Sequence, residues 1–178
     1  MHGPDTGRAN TDRSPTGPDW WRHGDAVVRP FGYGHDEPIV RRVGDRDLFL
    51  GNAAAAEAAT AADADGNDRS FDVVLSLTAD PVPATTHHRP LVDGPENDWP
   101  AFEAAADATC RLAAGGAGSL LVHCSHGISR SAAVAAVALA VTEDRPLRPA
   151  LADVQSARPP AQPHPALHEQ AVCYLGKR

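Results

Sequence analysis

The sequence predicts an α/β fold, a three-layer sandwich with a mostly parallel central sheet flanked by helices. Two observations carry this expectation. Short apolar strand candidates alternate with helical ones along the chain, the pattern of a sheet covered by helices. One of those strands, Ser119 to His123, runs through a short polar loop directly into an Ala-rich helix. In such folds the functional groups gather at the carboxyl ends of the strands.

The elements follow in order. Residues 1–38 read as a flexible N-terminal arm, because Gly, Pro, Asp and Thr dominate up to about Arg29 and residues 31–37 are turn-rich. Trp20-Trp21 interrupts that arm, as a buried anchor or as a partner-binding spot. The domain proper is expected over 39–178. Ile39 to Val43 and Asp47 to Gly51 are strand candidates around a Gly44–Arg46 turn. Asn52 caps an Ala-rich helix reaching to about Ala64. Phe71 to Leu77 is a buried strand. Phe102, Ala105-Ala106, Thr109 and Leu112-Ala113 recur at helical spacing, so Trp99 to about Ala114 is an amphipathic helix ended by the Gly115–Gly118 cluster. Helices are then expected from Ser129 to about Thr142, from Ala150 to Ala157 and from Ala166 to Leu175, with a Pro-rich loop over 158–164.

The chemistry lies in Leu120-Leu121-Val122-His123-Cys124-Ser125-His126-Gly127-Ile128-Ser129-Arg130-Ser131. A Cys and an Arg share one short loop at a helix N-terminus. Backbone N–H groups and the helix dipole favour an anion there. The same field favours thiolate over thiol, and Arg130 adds to it. The guanidinium is a planar fork matched to two phosphate oxygens. Gly127 lets the loop fold tightly.

His123-Cys124-x5-Arg130-Ser131 resembles the signature of the protein tyrosine phosphatase superfamily, and its Ser-Arg-Ser ending resembles the dual-specificity branch. The resemblance extends from about Ile39 to Leu175, because Leu48–Asn52, Val74–Thr78 and the 158–164 loop are also similar to that branch. It implies that Cys124 is the nucleophile, that Arg130 and the amides of Ser125, His126, Gly127, Ile128 and Ser129 bind phosphate, and that Ser131 steadies the departing thiolate. It also implies a structural ring at His123, bonded to the loop backbone. His126 departs from the small residue common there, and either reaches substrate or fills the rim.

The family takes its general acid from an Asp on a loop roughly thirty residues before the Cys. Asp93 stands 31 positions before Cys124, between a short strand and a helix. Glu96 and Asp98 are the rivals; Asp98 reads as a helix N-cap and Glu96 as a solvated turn residue. His87-His88 read as strand-edge polar residues, since neighbours on a strand face opposite ways and cannot share a metal. No metal and no cofactor are expected.

Composition narrows the setting. The chain has 178 residues, enough for one domain with a core. Its longest apolar run, Ala132 to Val141, is ten residues, against the roughly 20 of a membrane span. No signal-peptide core is seen, so a cytoplasmic protein without membrane partners is expected. The three cysteines have no metal-like spacing. Cys110 and Cys173 read as packing residues on helix faces, or as resolving thiols for Cys124. With 23 acids against 16 bases the net charge is −7, which argues against nucleic-acid binding. One Lys against fifteen Arg, and 17 Asp against 6 Glu, resemble haloarchaeal usage or that of a GC-rich bacterium.

The expected activity is that of a monomeric protein phosphatase acting on phosphotyrosine and phosphoserine/threonine through a phosphocysteine. Lysines that would meet extra phosphates are absent between Cys124 and Arg130. The alternatives are a phosphatase of a small-molecule or nucleotide phosphate, and a non-catalytic phosphopeptide-binding module.

Overall fold

The computed structural model describes residues 37–59, 70–116 and 118–178, together with the backbone of 21–23 and 26–28. Two short strands, β1 (Trp21–His23) and β2 (Ala26–Val28), pair antiparallel inside the segment expected to be an arm. Apart from these two strands, Trp20 and the other residues of 1–36 lie outside the described residues, as do residues 60–69, into which the first helix was expected to run.

The main sheet has five strands: β3 (Val40–Arg42), β4 (Leu48–Gly51), β5 (Val73–Ser76), β6 (His87–His88) and β7 (Leu120–His123). Their order is β3-β4-β7-β5-β6. β7 pairs parallel with β4 and β5, and β5 pairs parallel with β6. The outer β3 is antiparallel to β4, as a short turn between them requires. The sheet is thus mostly parallel, and His87-His88 do lie on its edge. Residues 89–92, expected as a strand, only trail along β5: Arg89 and Leu91 donate N–H bonds to the Ser76 and Leu77 carbonyls.

The helices are α1 (Ala53–Ala58), α2 (Trp99–Ala114), α3 (Arg130–Thr142), α4 (Leu147–Ala157) and α5 (Pro165–Gly176). The period-2 alternation of the strands separates two cores. Leu48, Leu50, Val73, Leu75, Leu120 and Val122 join the large core with residues of α2 to α5. Val74 and Leu121 form a small one with Ala56 of α1, flanked by Phe49 and Phe71. The sandwich is therefore unequal, with four helices on one face and one short helix on the other.

In α3 every residue from Ser131 to Ala140 is buried. Its alanines let α2, α4 and α5 approach closely on several sides. This burial fixes the helix whose N-terminus carries the Cys124 loop. Among the described residues no helix is long and apolar enough to cross a membrane.

Candidate active site

Central strand β7 ends at His123, and the loop from Cys124 to Ser129 turns into α3. Cys124 is 2 % exposed. Its Sγ lies 3.4 Å from Ser131 Oγ in the first turn of α3. Burial alone pushes the thiol up. The charge of Arg130, the Ser131 hydroxyl and the N–H groups of Ser131 and Ile128 outweigh it, and the net shift is downward, toward thiolate.

The loop presents its amides inward because its carbonyls are held outward. Ser125 O accepts from Ala53 N at 3.2 Å, and Ile128 O from Gln162 N at 2.9 Å. His126 O accepts from Arg158 Nη2 at 3.3 Å. Gly127 has φ +65°, and a Cβ there would stand 2.7 Å from Gly51 O. Only glycine suits both that conformation and that approach. Behind it, fully buried Asn52 ties the start of α1 to the chain before β3, bonding the N–H groups of Ile39 and Ala55 and the Glu37 carbonyl.

Arg130 is held as a fork. Nη1 donates to the carbonyls of Leu77 (3.3 Å) and Leu91 (3.2 Å), and Nη2 donates to Ser125 Oγ at 2.8 Å. Its buried Nε makes no hydrogen bond in this structure. A buried guanidinium N–H without a partner is costly, and an oxyanion seated over the loop would satisfy it.

Asp93 is half-buried and accepts a 2.5 Å hydrogen bond from Ser129 Oγ. Ser129 Oγ in turn accepts the His164 N–H at 2.8 Å. Although Ser129 stands at the start of α3, its hydroxyl makes no helix cap. Its side chain instead joins the Asp93 loop to the Cys124 loop, so only its backbone remains for an anion. The Asp93 loop is also tied to α5: Asn97 Nδ2 donates to Gln170 Oε1 at 2.9 Å, and Gln170 Nε2 donates to Asn97 O at 2.8 Å. Asp98 is exposed and caps α2 through a 2.9 Å bond from Ala101 N, and Glu96 is exposed. Of the three acidic candidates, it is Asp93 that the structure joins to the Cys124 loop.

His123 is fully buried. Burial first, then the charges of Arg130 and His88, lower its pKa from 6.5 to about 4, against an opposing backbone interaction with Cys124. The ring is therefore neutral at pH 7. The unfolded chain binds a proton here near 6.5, and the folded chain only near 4. Stability from this group is thus complete above about pH 6.5 and declines as pH falls, by on the order of 2 kcal/mol at about pH 5. Denaturant titrations between about pH 7.5 and 5 should show that loss, and His123→Gln should flatten the profile over this window. An unchanged slope in the variant would contradict a neutral buried ring.

Sequence reasoning passed over several residues that shape this site. Ser76 contacts His123 from β5 and is itself bonded by Thr85 of the following loop, and Arg158 and Gln162 brace the Cys124 loop. The one local signal was a Ser inside the apolar run Val73–Leu77. The others meet the loop only through long-range contacts. Cys110 is buried, as a packing residue should be, whereas Cys173 is exposed.

No protein-family model matches the sequence, so its family rests on individual relatives. The chain is 34% identical to human dual specificity phosphatase 28 over 138 residues, 77% of either protein. It belongs to the dual-specificity phosphatase family. The crystal structure of human DUSP28 superposes with a TM-score of 0.62 at 28% identity, covering 79% of this chain and 97% of that one. A mouse putative dual specificity phosphatase complexed with zinc tungstate gives 0.61 at 30% identity, covering 78% and 87%. Dual-specificity phosphatases are cysteine-dependent phosphoric monoester hydrolases.

Proposed function

We propose that this chain hydrolyses phosphotyrosine and phosphoserine/threonine monoesters in proteins through a phosphocysteine on Cys124. The observation that carries the reading is the pairing of a thiol poised toward thiolate with a buried, unsatisfied Arg130 Nε on the same loop. Cys124 Sγ attacks phosphorus in line as the P–O ester bond breaks. Arg130 and the amides from Ser125 to Ser129 hold the equatorial oxygens as charge redistributes. Asp93 gives its proton to the leaving oxygen and then, ionised, takes one from the water that attacks phosphocysteine. Free phosphate leaves, and the thiolate returns beside Ser131. His123 acts as support, and His126 stands at the rim.

The loop from Cys124 to Arg130 offers no lysine to a second phosphate, which favours simple monoesters over inositol polyphosphates. Phosphate release should be measured on phosphotyrosine, phosphoserine and phosphothreonine peptides, nucleotides and inositol phosphates. Release from both peptide classes is expected. Release confined to nucleotides or inositol phosphates would overturn the substrate class. Peptide binding without any release would make the chain a docking module.

A further inference from the structure

Ser76 is fully buried at the C-terminal end of β5. Its Oγ lies 2.5 Å from His123 Nε2 and 2.5 Å from Thr85 Oγ1. Thr85 Oγ1 also accepts the Val82 N–H at 3.0 Å.

Proton counting gives this chain a direction. Each hydroxyl has one proton to donate. Val82 can only donate to Thr85. If Thr85 donates to Ser76, Ser76 donates to His123 Nε2 and every proton has an acceptor. In the reverse direction Nε2–H would donate to Ser76 and Ser76 to Thr85. Thr85 would then accept twice, and its own proton would have no acceptor among these bonds. The forward order leaves Nε2 bare and places the proton of the neutral ring on Nδ1. Nδ1 makes no well-formed hydrogen bond, but the ring interacts with the Cys124 backbone in the sense that favours protonation, as a carbonyl acceptor does. The charged or titratable groups acting on the ring are Arg130 from α3 and His88 from β6, and both disfavour a second proton.

We propose that Ser76 and Thr85 are positioning residues for Cys124. The relay from Val82 N–H through Thr85 and Ser76 fixes the His123 ring with its proton on Nδ1, against the Cys124 peptide where the loop begins. Ala53, Arg158 and Gln162 hold the carbonyls of Ser125, His126 and Ile128 outward; the relay fixes the ring that adjoins the first peptide of the loop. This rests on the reading of Cys124 as nucleophile, and it adds two residues outside the signature.

The test uses the full chain and the variants Thr85→Val, Thr85→Ser and Ser76→Ala. Two readouts need no turnover: the pH profile of Cys124 alkylation by iodoacetate, and ¹⁵N NMR of the His123 ring. In the unsubstituted protein Nε2 should resonate as the bare nitrogen and Nδ1 as the protonated one. Thr85→Val and Ser76→Ala should move the alkylation midpoint to higher pH. They should also lower kcat/KM about five- to tenfold, the scale of one lost buried hydrogen bond. Thr85→Ser keeps the hydroxyl and should keep both values. A protonated Nε2 overturns the proposal. So does an unchanged alkylation profile in both loss variants, even if their melting temperatures fall, because that is the mark of a purely structural role. Shifted profiles in a protein that releases no phosphate would sustain the relay and defeat the phosphatase reading. Normal phosphate release with unmoved profiles would do the opposite.

Discussion

Cys124→Ser is expected to cut turnover on the order of 10⁵–10⁶-fold, the scale seen when a covalent nucleophile is removed. The hydroxyl sits in the same field but is far less acidic than the thiol, so the Arg130 charge and the loop amides cannot ionise it at neutral pH. Those donors remain in place, because the outward carbonyl bonds from Ala53, Arg158 and Gln162 do not involve the Cys124 side chain. Binding of a phosphopeptide should therefore survive. Steady-state rates and equilibrium binding on the same variant check both halves. Turnover near that of the unsubstituted protein would remove Cys124 from the mechanism.

Asp93→Asn is the second large effect. An amide cannot deliver a proton to the leaving oxygen, and loss of general acid catalysis costs roughly 10²–10⁴-fold. The loss should be full on alkyl phosphates such as phosphoserine and should shrink on an activated aryl phosphate, whose oxygen leaves as a stable anion. The amide can still accept the Ser129 hydroxyl bond, so the loop should stay docked through Ser129 and the Asn97–Gln170 pair. Asp98→Asn should show no such leaving-group dependence, since Asp98 is occupied in capping α2. If Asp98→Asn or Glu96→Gln shows it instead, the acid is misassigned.

The strands of the five-stranded sheet and most helices were legible because their signals are local, whereas the β1–β2 pair fell in a segment read as an arm. Alternation in Leu48–Leu50 and Val73–Leu75 marks two covered faces, and the Asp98 cap sits beside the helix it starts. Helix α4 begins at Leu147, three residues before the expected Ala150, because Pro149 is tolerated in the first turn of a helix. The Cys124 loop was legible because nucleophile, glycine and arginine must share one short turn. Its supports were not. Arg158 reaches the loop from 32 residues away, and Ser129 meets Asp93 across 36. Such pairings come from packing α3 against the sheet, and no periodicity encodes them. Ser129 shows this clearly: its backbone amide was assigned to phosphate from the signature, but the bond of its hydroxyl to the loop that carries Asp93 could not be read there.

The central claim is a covalent phosphocysteine on Cys124, and the Asp93→Asn protein is the place to look for it. With an activated aryl phosphate, formation needs little acid help, while hydrolysis still needs Asp93 as base, so the intermediate should accumulate. The measurement is rapid quenching during turnover followed by mass spectrometry of the peptide that contains Cys124. The account predicts near-stoichiometric phosphate on Cys124, a matching burst of aryl alcohol, and neither in the Cys124→Ser protein. Steady release of phosphate with no burst and no phosphate on Cys124 would contradict it.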